Sequence, residues 1–174
     1  MHVLVTYASK HGSTREIAER IAAHLEQHGV TVDLRPTNQV DGLDGYDAVV
    51  IGSAVYIGRW MKEATEFVER VRPALAGTRA WLFSSGPLGD QPGVDPPQIA
   101  ELEASLNVVE HRLFAGSMSK DRLSLVERAL VKGVKAPYGD VRDWSSIDWW
   151  AAAIAKELAG SPTVQTEVAG ARPA

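Results

Sequence analysis

A chain of 174 residues with 45% hydrophobic and 23% charged residues can bury one sizeable core, and one globular domain is the expectation. The absence of cysteine excludes disulfides, thiolate metal sites, iron–sulfur clusters and cysteine nucleophiles, so redox chemistry would need an organic cofactor. A net charge of −4 gives no reason to expect nucleic acid, and with neither a run of ~20 apolar residues nor a signal-peptide pattern after Met1 the chain is expected in the cytoplasm.

The first element is the apolar run Val3-Leu4-Val5, suited to a strand buried on both faces. Ile17, Ala18, Ile21, Ala22 and Leu25 then recur at helical spacing, with Arg15, Glu16, Glu19, Arg20 and Glu26 opposite them. Residues 30–35 alternate apolar and polar, as a strand near a sheet edge does, and Pro36 ends it. After the turn-rich stretch 38–45, Ala48-Val49-Val50-Ile51-Gly52 reads as a central strand. A loop over 53–59 precedes a helix predicted from Trp60 to Ala76, with Met61, Ala64, Phe67, Val68 and Val71 on one face. Residues 79–84 predict a fourth strand, and a Gly- and Pro-rich loop runs from Ser85 to Pro97. A helix carrying Ile99, Leu102 and Leu106, a fifth strand over 108–116 and a last helix over 145–159 complete the domain. The last helix carries Ile147, Trp150, Ala151, Ile154 and Leu158 on one stripe, and the tail from Gly160 has no periodic core. Alternating strands and helices imply α/β architecture: a parallel sheet with right-handed crossovers and helices on both faces.

The link between the first strand and helix, Ser9-Lys10-His11-Gly12-Ser13-Thr14, is a loop of hydrogen-bond donors. A phosphate at a helix N-terminus is held by unpaired amides and the positive dipole end, which the hydroxyls of Ser9, Ser13 and Thr14 can supplement, while Gly12 lets the backbone approach. The alternative is a plain helix cap at Ser13 or Thr14, with Glu16 completing a capping box. The spacing is neither that of a P-loop nor that of a dinucleotide-binding Gly-x-Gly-x-x-Gly turn. No Gly-x-Ser-x-Gly elbow supports a hydrolase, and the isolated His2, His24 and His28 lack metal-ligand spacing.

Residues 7–14 resemble the first FMN-phosphate loop of the flavodoxin superfamily, Ser/Thr-x-Thr-Gly-x-Thr after the first strand, with Ser9, Gly12, Ser13 and Thr14 falling on it and His11 standing where a hydroxyl is usual. The continuation Thr14-Arg15-Glu16-Ile17-Ala18 is similar to the flavodoxin-like menaquinone-dependent protoporphyrinogen oxidases. The resemblance implies a flavodoxin-like three-layer sandwich over residues 1–159, with a five-stranded parallel sheet in order 2-1-3-4-5 and FMN at the carboxyl ends of the strands. It also implies two ring-contacting loops, Ser53-Ala54-Val55-Tyr56-Ile57-Gly58 and Ser85-Gly86-Pro87-Leu88-Gly89, with Tyr56 and Trp60 as stacking candidates and packing of Trp60 on the core as the alternative. Arg59 and Trp60 are the candidates for contact with substrate, Arg59 as a cation for a phosphate, a reduced ring or a carboxylate.

Residues 117–142 exceed the ~2–6 residues that a strand-to-helix link usually takes, and carry six Lys and Arg against three Asp and Glu. Leu123, Val126, Leu130 and Val134 lie at helical spacing there, so a basic amphipathic insertion is expected, able to rest on an anionic membrane or on an acidic substrate, or to pack on the domain. The same family carries a basic insertion at this point, followed by an Asp-Trp that Asp143-Trp144 matches, which implies a reduced substrate such as protoporphyrinogen and a quinone as partners. A flavodoxin-type electron carrier, a module for a deazaflavin or another phosphate ligand, and an NAD(P)H:quinone reductase are the other readings.

Overall fold

The computed structural model describes residues 1–86, 95–118 and 139–160. In chain order the elements are β1 (His2–Ala8), α1 (Ser13–Gln27), β2 (Thr31–Pro36), a 3-10 turn (Thr37–Gln39), β3 (Ala48–Tyr56), β4 (Arg59–Trp60), α2 (Lys62–Leu75) and β5 (Arg79–Gly86). α3 (Pro97–Ser105), β6 (Val108–Ala115), β7 (Ser117–Met118), β8 (Gly139–Asp140) and α4 (Trp144–Ala159) follow. The main sheet runs β2-β1-β3-β5-β6, every neighbouring pair parallel, and the short β4 pairs antiparallel with β3. Counted without β4, the five parallel strands stand in the expected order 2-1-3-4-5.

The alternation of side chains along buried strands makes two cores from one sheet. Val3, Val5, Ala48, Val50, Trp81 and Phe83 pack against Ile17, Ile21 and Leu25 of α1 and Ile147, Trp150 and Ile154 of α4. Leu4, Val49, Ile51, Ala80 and Leu82 face the other way, onto Phe67, Val68 and Val71 of α2 and Ile99 and Leu102 of α3. Trp150 sits edge-on to Phe83 and Phe114, with centroids 6.2 and 5.5 Å away, and donates its indole N–H to Glu110 over 2.7 Å. A Cβ built on Gly52 would overlap the Phe83 ring, so β3 and β5 close on each other only because position 52 has no side chain. Gly52→Ala is expected to destabilise the fold by about 2 kcal/mol through overpacking, read as a lower denaturation midpoint; an unshifted midpoint would show that the ring has room to move.

Two boundaries differ from the sequence reading. β3 runs on to Tyr56 and turns back through Ile57 and Gly58, both at positive φ (51° and 69°), into β4, so that the predicted 53–59 loop is largely a β-hairpin. α2 consequently starts at Lys62 rather than Trp60, because β4 uses Trp60. The insertion expected at 117–142 is described at its two ends, where Ser117 and Met118 pair antiparallel with Asp140 and Gly139. The amphipathic helix read over 123–134, and Pro87, Leu88 and Gly89, lie outside the described residues, as does the tail beyond Gly160. Among the described residues no helix is long and apolar enough to cross a membrane.

Candidate functional site

β1 delivers the donor loop to the carboxyl edge of the sheet. Gly12 is the N-cap of α1 at φ 92°, a left-handed conformation that glycine adopts without cost, and no side chain caps the helix. The capping box weighed in the sequence does not form, because Gly12 takes the N-cap position and the two side chains bond elsewhere. Ser13 Oγ accepts the Ser117 amide at 2.8 Å, and the Glu16 carboxylate accepts from Arg142 Nη1 at 2.6 Å. Ser9 Oγ in turn accepts the Gly12 amide at 3.1 Å. A hydroxyl whose oxygen already accepts an N–H has its own hydrogen left to give. Ser9 and Ser13 are therefore both biased as donors, beside a helix N-terminus with no side-chain cap, which is the chemistry of an anion site. Thr14 is buried, Lys10 is exposed, and His11 reaches across to the second loop, edge-on to Tyr56 at 6.4 Å between centroids.

That second loop is the β3–β4 hairpin. Its base is held by Ser53, whose Oγ accepts the Met61 amide at 3.0 Å, and by Ala54, whose carbonyl accepts the same amide at 3.2 Å. Val55 is half-buried, Tyr56 is 39% exposed and Ile57, at the tip, is 89% exposed. A β-branched residue at φ 51° is strained, and such strain gathers where a ligand or partner uses the conformation. Arg59 is exposed and pairs with Tyr56 across the hairpin. Trp60 is only 4% exposed, and its indole N–H is bonded to Ser84 Oγ at 2.7 Å. Its place is in the core beneath the hairpin, where it fixes the loop from below and has no face free for stacking.

The third loop starts at Ser85 and Gly86, which end β5. A Cβ on Gly116 would come within 3.3 Å of Ser13 Oγ and 3.4 Å of both Ser85 Oγ and Gly86 O, while one on Gly86 would come within 3.2 Å of the Val55 Cβ. The donor loop, the hairpin and the described start of the third loop, Ser85 and Gly86, thus meet at one edge of the sheet.

The structure adds residues that sequence reasoning passed over. The Arg142 side chain is 5% exposed, gripping Asp140 through Nε (2.8 Å) and Nη2 (2.6 Å), reaching Glu16 through Nη1, and lying over the Trp144 ring at 4.3 Å. This guanidinium holds the Asp140 carboxyl below its ordinary pKa, and the paired carboxylate in turn raises that of Arg142. Gly116 and Ser117 close the back of the donor loop, and Ser84 and His111 lie under the hairpin. Only the basic run had pointed toward Arg142, and Ser84 and Gly116 were legible only as the ends of their strands; nothing local marked Ser117 or His111. Among the described residues no cluster of His, Asp and Glu could hold a metal.

Comparison with known proteins bears on the same stretch. The family model described as a flavodoxin domain matches residues 4–144. The chain is 24% identical over 182 residues to protoporphyrinogen IX dehydrogenase [quinone] of Escherichia coli strain K12, covering 95% of this chain and all of that protein. It is 29% identical over 110 residues to an NAD(P)H dehydrogenase (quinone) of Nitrobacter winogradskyi, covering 48% of this chain and 55% of the relative. Among solved structures, a flavodoxin from the domain Archaea superposes with a TM-score of 0.63 at 20% identity, over 91% of this chain and 99% of that one. A flavodoxin domain implies FMN as the cofactor, and the donor-biased serines at an uncapped helix suit its phosphate. Since the match spans the sheet, the donor loop and the hairpin together, this chain belongs to the flavodoxin domain family.

Proposed function

We propose that the protein is an FMN-dependent oxidoreductase that passes electrons from a reduced small-molecule substrate to a quinone. The observation that carries the reading is the donor loop, in which Ser9 and Ser13 each accept a backbone N–H beside the start of α1 and so have their own hydrogens left to give. FMN, when bound, supplies reversible redox chemistry; the chain supplies placement and electrostatics. Ser9, Ser13, Gly12 and the first amides of α1 bind the phosphate, with Thr14, Lys10 and His11 around it. Tyr56, Ile57 and Gly58 on one side, and Ser85 and Gly86 on the other, flank the ring. Arg59 brings an exposed cation to the hairpin, suited to the carboxylate of an acidic substrate.

The choice of partners is supported by the likeness to the E. coli protein over 95% of this chain, which makes protoporphyrinogen the first substrate to test and a menaquinone analogue the first acceptor. The basic composition of residues 117–142 suits contact with an anionic lipid surface, where such a quinone dissolves. The test is anaerobic: reduced, FMN-loaded protein is mixed with a menaquinone analogue, and then protoporphyrinogen is supplied. Quinone-dependent reoxidation and porphyrin formation are expected. Reduced protein that ignores quinone would make this an electron carrier, and direct consumption of NAD(P)H would make it a nicotinamide:quinone reductase.

A further inference from the structure

On the α2 and α3 side of the sheet, below the hairpin, four side chains from separate segments join in a line. Trp60 Nε1 donates to Ser84 Oγ at 2.7 Å, Ser84 Oγ lies 2.9 Å from His111 Nε2, and His111 Nδ1 lies 3.3 Å from Asp95 Oδ1. Ser84 is fully buried and the His111 side chain is 4% exposed. The inaccessible Ser84 makes a poor nucleophile, so the likeness to a hydrolytic relay is only one of order.

The proton positions follow from which groups can donate. An indole N–H can only donate, so it fills one of the two lone pairs of Ser84 and leaves a lone pair and a hydrogen, either of which can meet His111 Nε2. The Asp95 carboxylate decides between them: the neutral ring carries its hydrogen on Nδ1 toward Asp95 and leaves Nε2 to accept from Ser84, since the other tautomer would set a ring lone pair against carboxylate lone pairs. A protonated ring has a hydrogen on Nε2 as well, and that hydrogen points at the one on Ser84 and turns it out of the line. The charged groups that face the ring are Asp95 before α3, Glu103 on α3 and Glu110 on its own strand, while β5 and β4 present Ser84 and Trp60. Burial outweighs these acids and keeps the His111 pKa below its ordinary value.

Position gives the line its use. Ser84 stands one residue before Ser85 and Gly86, Asp95 stands at the entrance to α3, and Trp60 belongs to the hairpin that carries Tyr56 and Ile57. We propose that His111 is a positioning residue that, as the neutral ring, ties the end of β5 and the entrance of α3 to the β3–β4 hairpin and so sets the geometry in which these loops meet FMN. The inference rests on the FMN reading above. Acid should loosen the arrangement, and the sign agrees with stability. An unfolded histidine takes its proton near 6.5 while the native one resists it to lower pH, so stability is full above 6.5 and falls as pH drops below that value toward the native pKa.

The experiment has two arms. In the first, FMN affinity is followed by quenching of its fluorescence between pH 5 and 8 for the wild type and for His111→Gln, whose amide can accept from Ser84 and donate to Asp95 but does not titrate. The phosphate of FMN itself titrates near pH ~6 and affects both proteins alike, so the difference between the two profiles isolates the residue. The wild type is expected to lose about tenfold more affinity on acidification than the variant, with the two equal at pH 8. In the second, the indole N–H resonance of Trp60, assigned through Trp60→Phe, is followed with pH in FMN-free wild-type protein. It is expected to shift with the same midpoint as the His111 ring resonances, and this arm needs no variant of His111 to fold. Parallel affinity profiles for the two proteins, or a Trp60 resonance indifferent to His111, overturn the proposal. A Trp60 resonance that titrates in protein that never binds FMN would uphold the coupling of the line and discard the cofactor reading instead.

Discussion

Replacing Ser9 and Ser13 together by alanine is expected to weaken FMN binding by about a hundredfold while the sheet stays folded. Each hydroxyl already accepts a backbone N–H, from Gly12 and from Ser117, so each has one hydrogen to offer and a phosphate oxygen is a strong acceptor for it. A hydrogen bond to a charged group is worth about 1.5–3 kcal/mol, and two at the lower figure give about 3 kcal/mol, or two decades of affinity. The two positions are separable. Each variant removes a donor and the acceptor of one amide, but Ser9→Ala loses a local bond to Gly12 whereas Ser13→Ala loses one that ties segments 104 residues apart, so the second should lower thermal stability more than the first. Ser13→Thr, which keeps the hydroxyl, should restore most of the affinity. Fluorescence titration with FMN and with riboflavin, which lacks the phosphate, reads the effect at the right group: the double variant should lose its preference for FMN. Equal affinity of the wild type and the double variant for FMN would remove the donor loop from the binding site.

Arg142→Met should lower stability by about 3 kcal/mol, a fall of roughly 6–12 °C in Tm, and should also weaken FMN binding. Methionine keeps an apolar stem but removes the guanidinium that lies over the Trp144 ring and leaves Glu16 and Asp140 without the cation that both now grip. Glu16 is in the first turn of α1 and Asp140 pairs with Ser117, so the guanidinium fastens the β7–β8 pair to the helix that begins at the proposed phosphate site. Neutralising both acids in the same background, with Glu16→Gln and Asp140→Asn, should recover part of the stability, since the cost comes from uncompensated charge. The pH dependence has a sign as well. The Asp140 pKa is lowered in the fold, chiefly by its bonds to Arg142, so its contribution is present above the ordinary carboxylate range and is lost as pH falls through the native value. That acid sensitivity should be smaller in Arg142→Met. A variant as stable as the wild type would mean that the clamp adds nothing to the fold.

How much was legible varied with the distance over which each feature is encoded. The runs at Val3–Val5 and Ala48–Gly52, the stripe of Ile17, Ile21 and Leu25 and the polar link from Ser9 to Thr14 are local patterns, and the strands, the helix and the turn between them lie where those patterns placed them. The hairpin after β3 was not legible, because Ile57 and Gly58 both take positive φ there, and isoleucine gives no signal for a conformation it rarely adopts. Trp60 reads equally as a ring to stack or a side chain to bury until Ser84 is known to lie beneath it. The clamp from Arg142 to Glu16 spans 126 residues, and the bond between Ser117 and Ser13 spans 104. By itself the sequence determined the α/β class, the two-faced strands and the kind of loop that opens α1, since each depends on spacing between near neighbours. The tertiary structure alone decided that Ser13 would accept the Ser117 amide, that Glu16 would bond Arg142 and that His111 would lie between Ser84 and Asp95. A side chain's hydrogen bonds are settled by whichever partner the strand order brings within about 3 Å, and that proximity is a property of the assembled sheet.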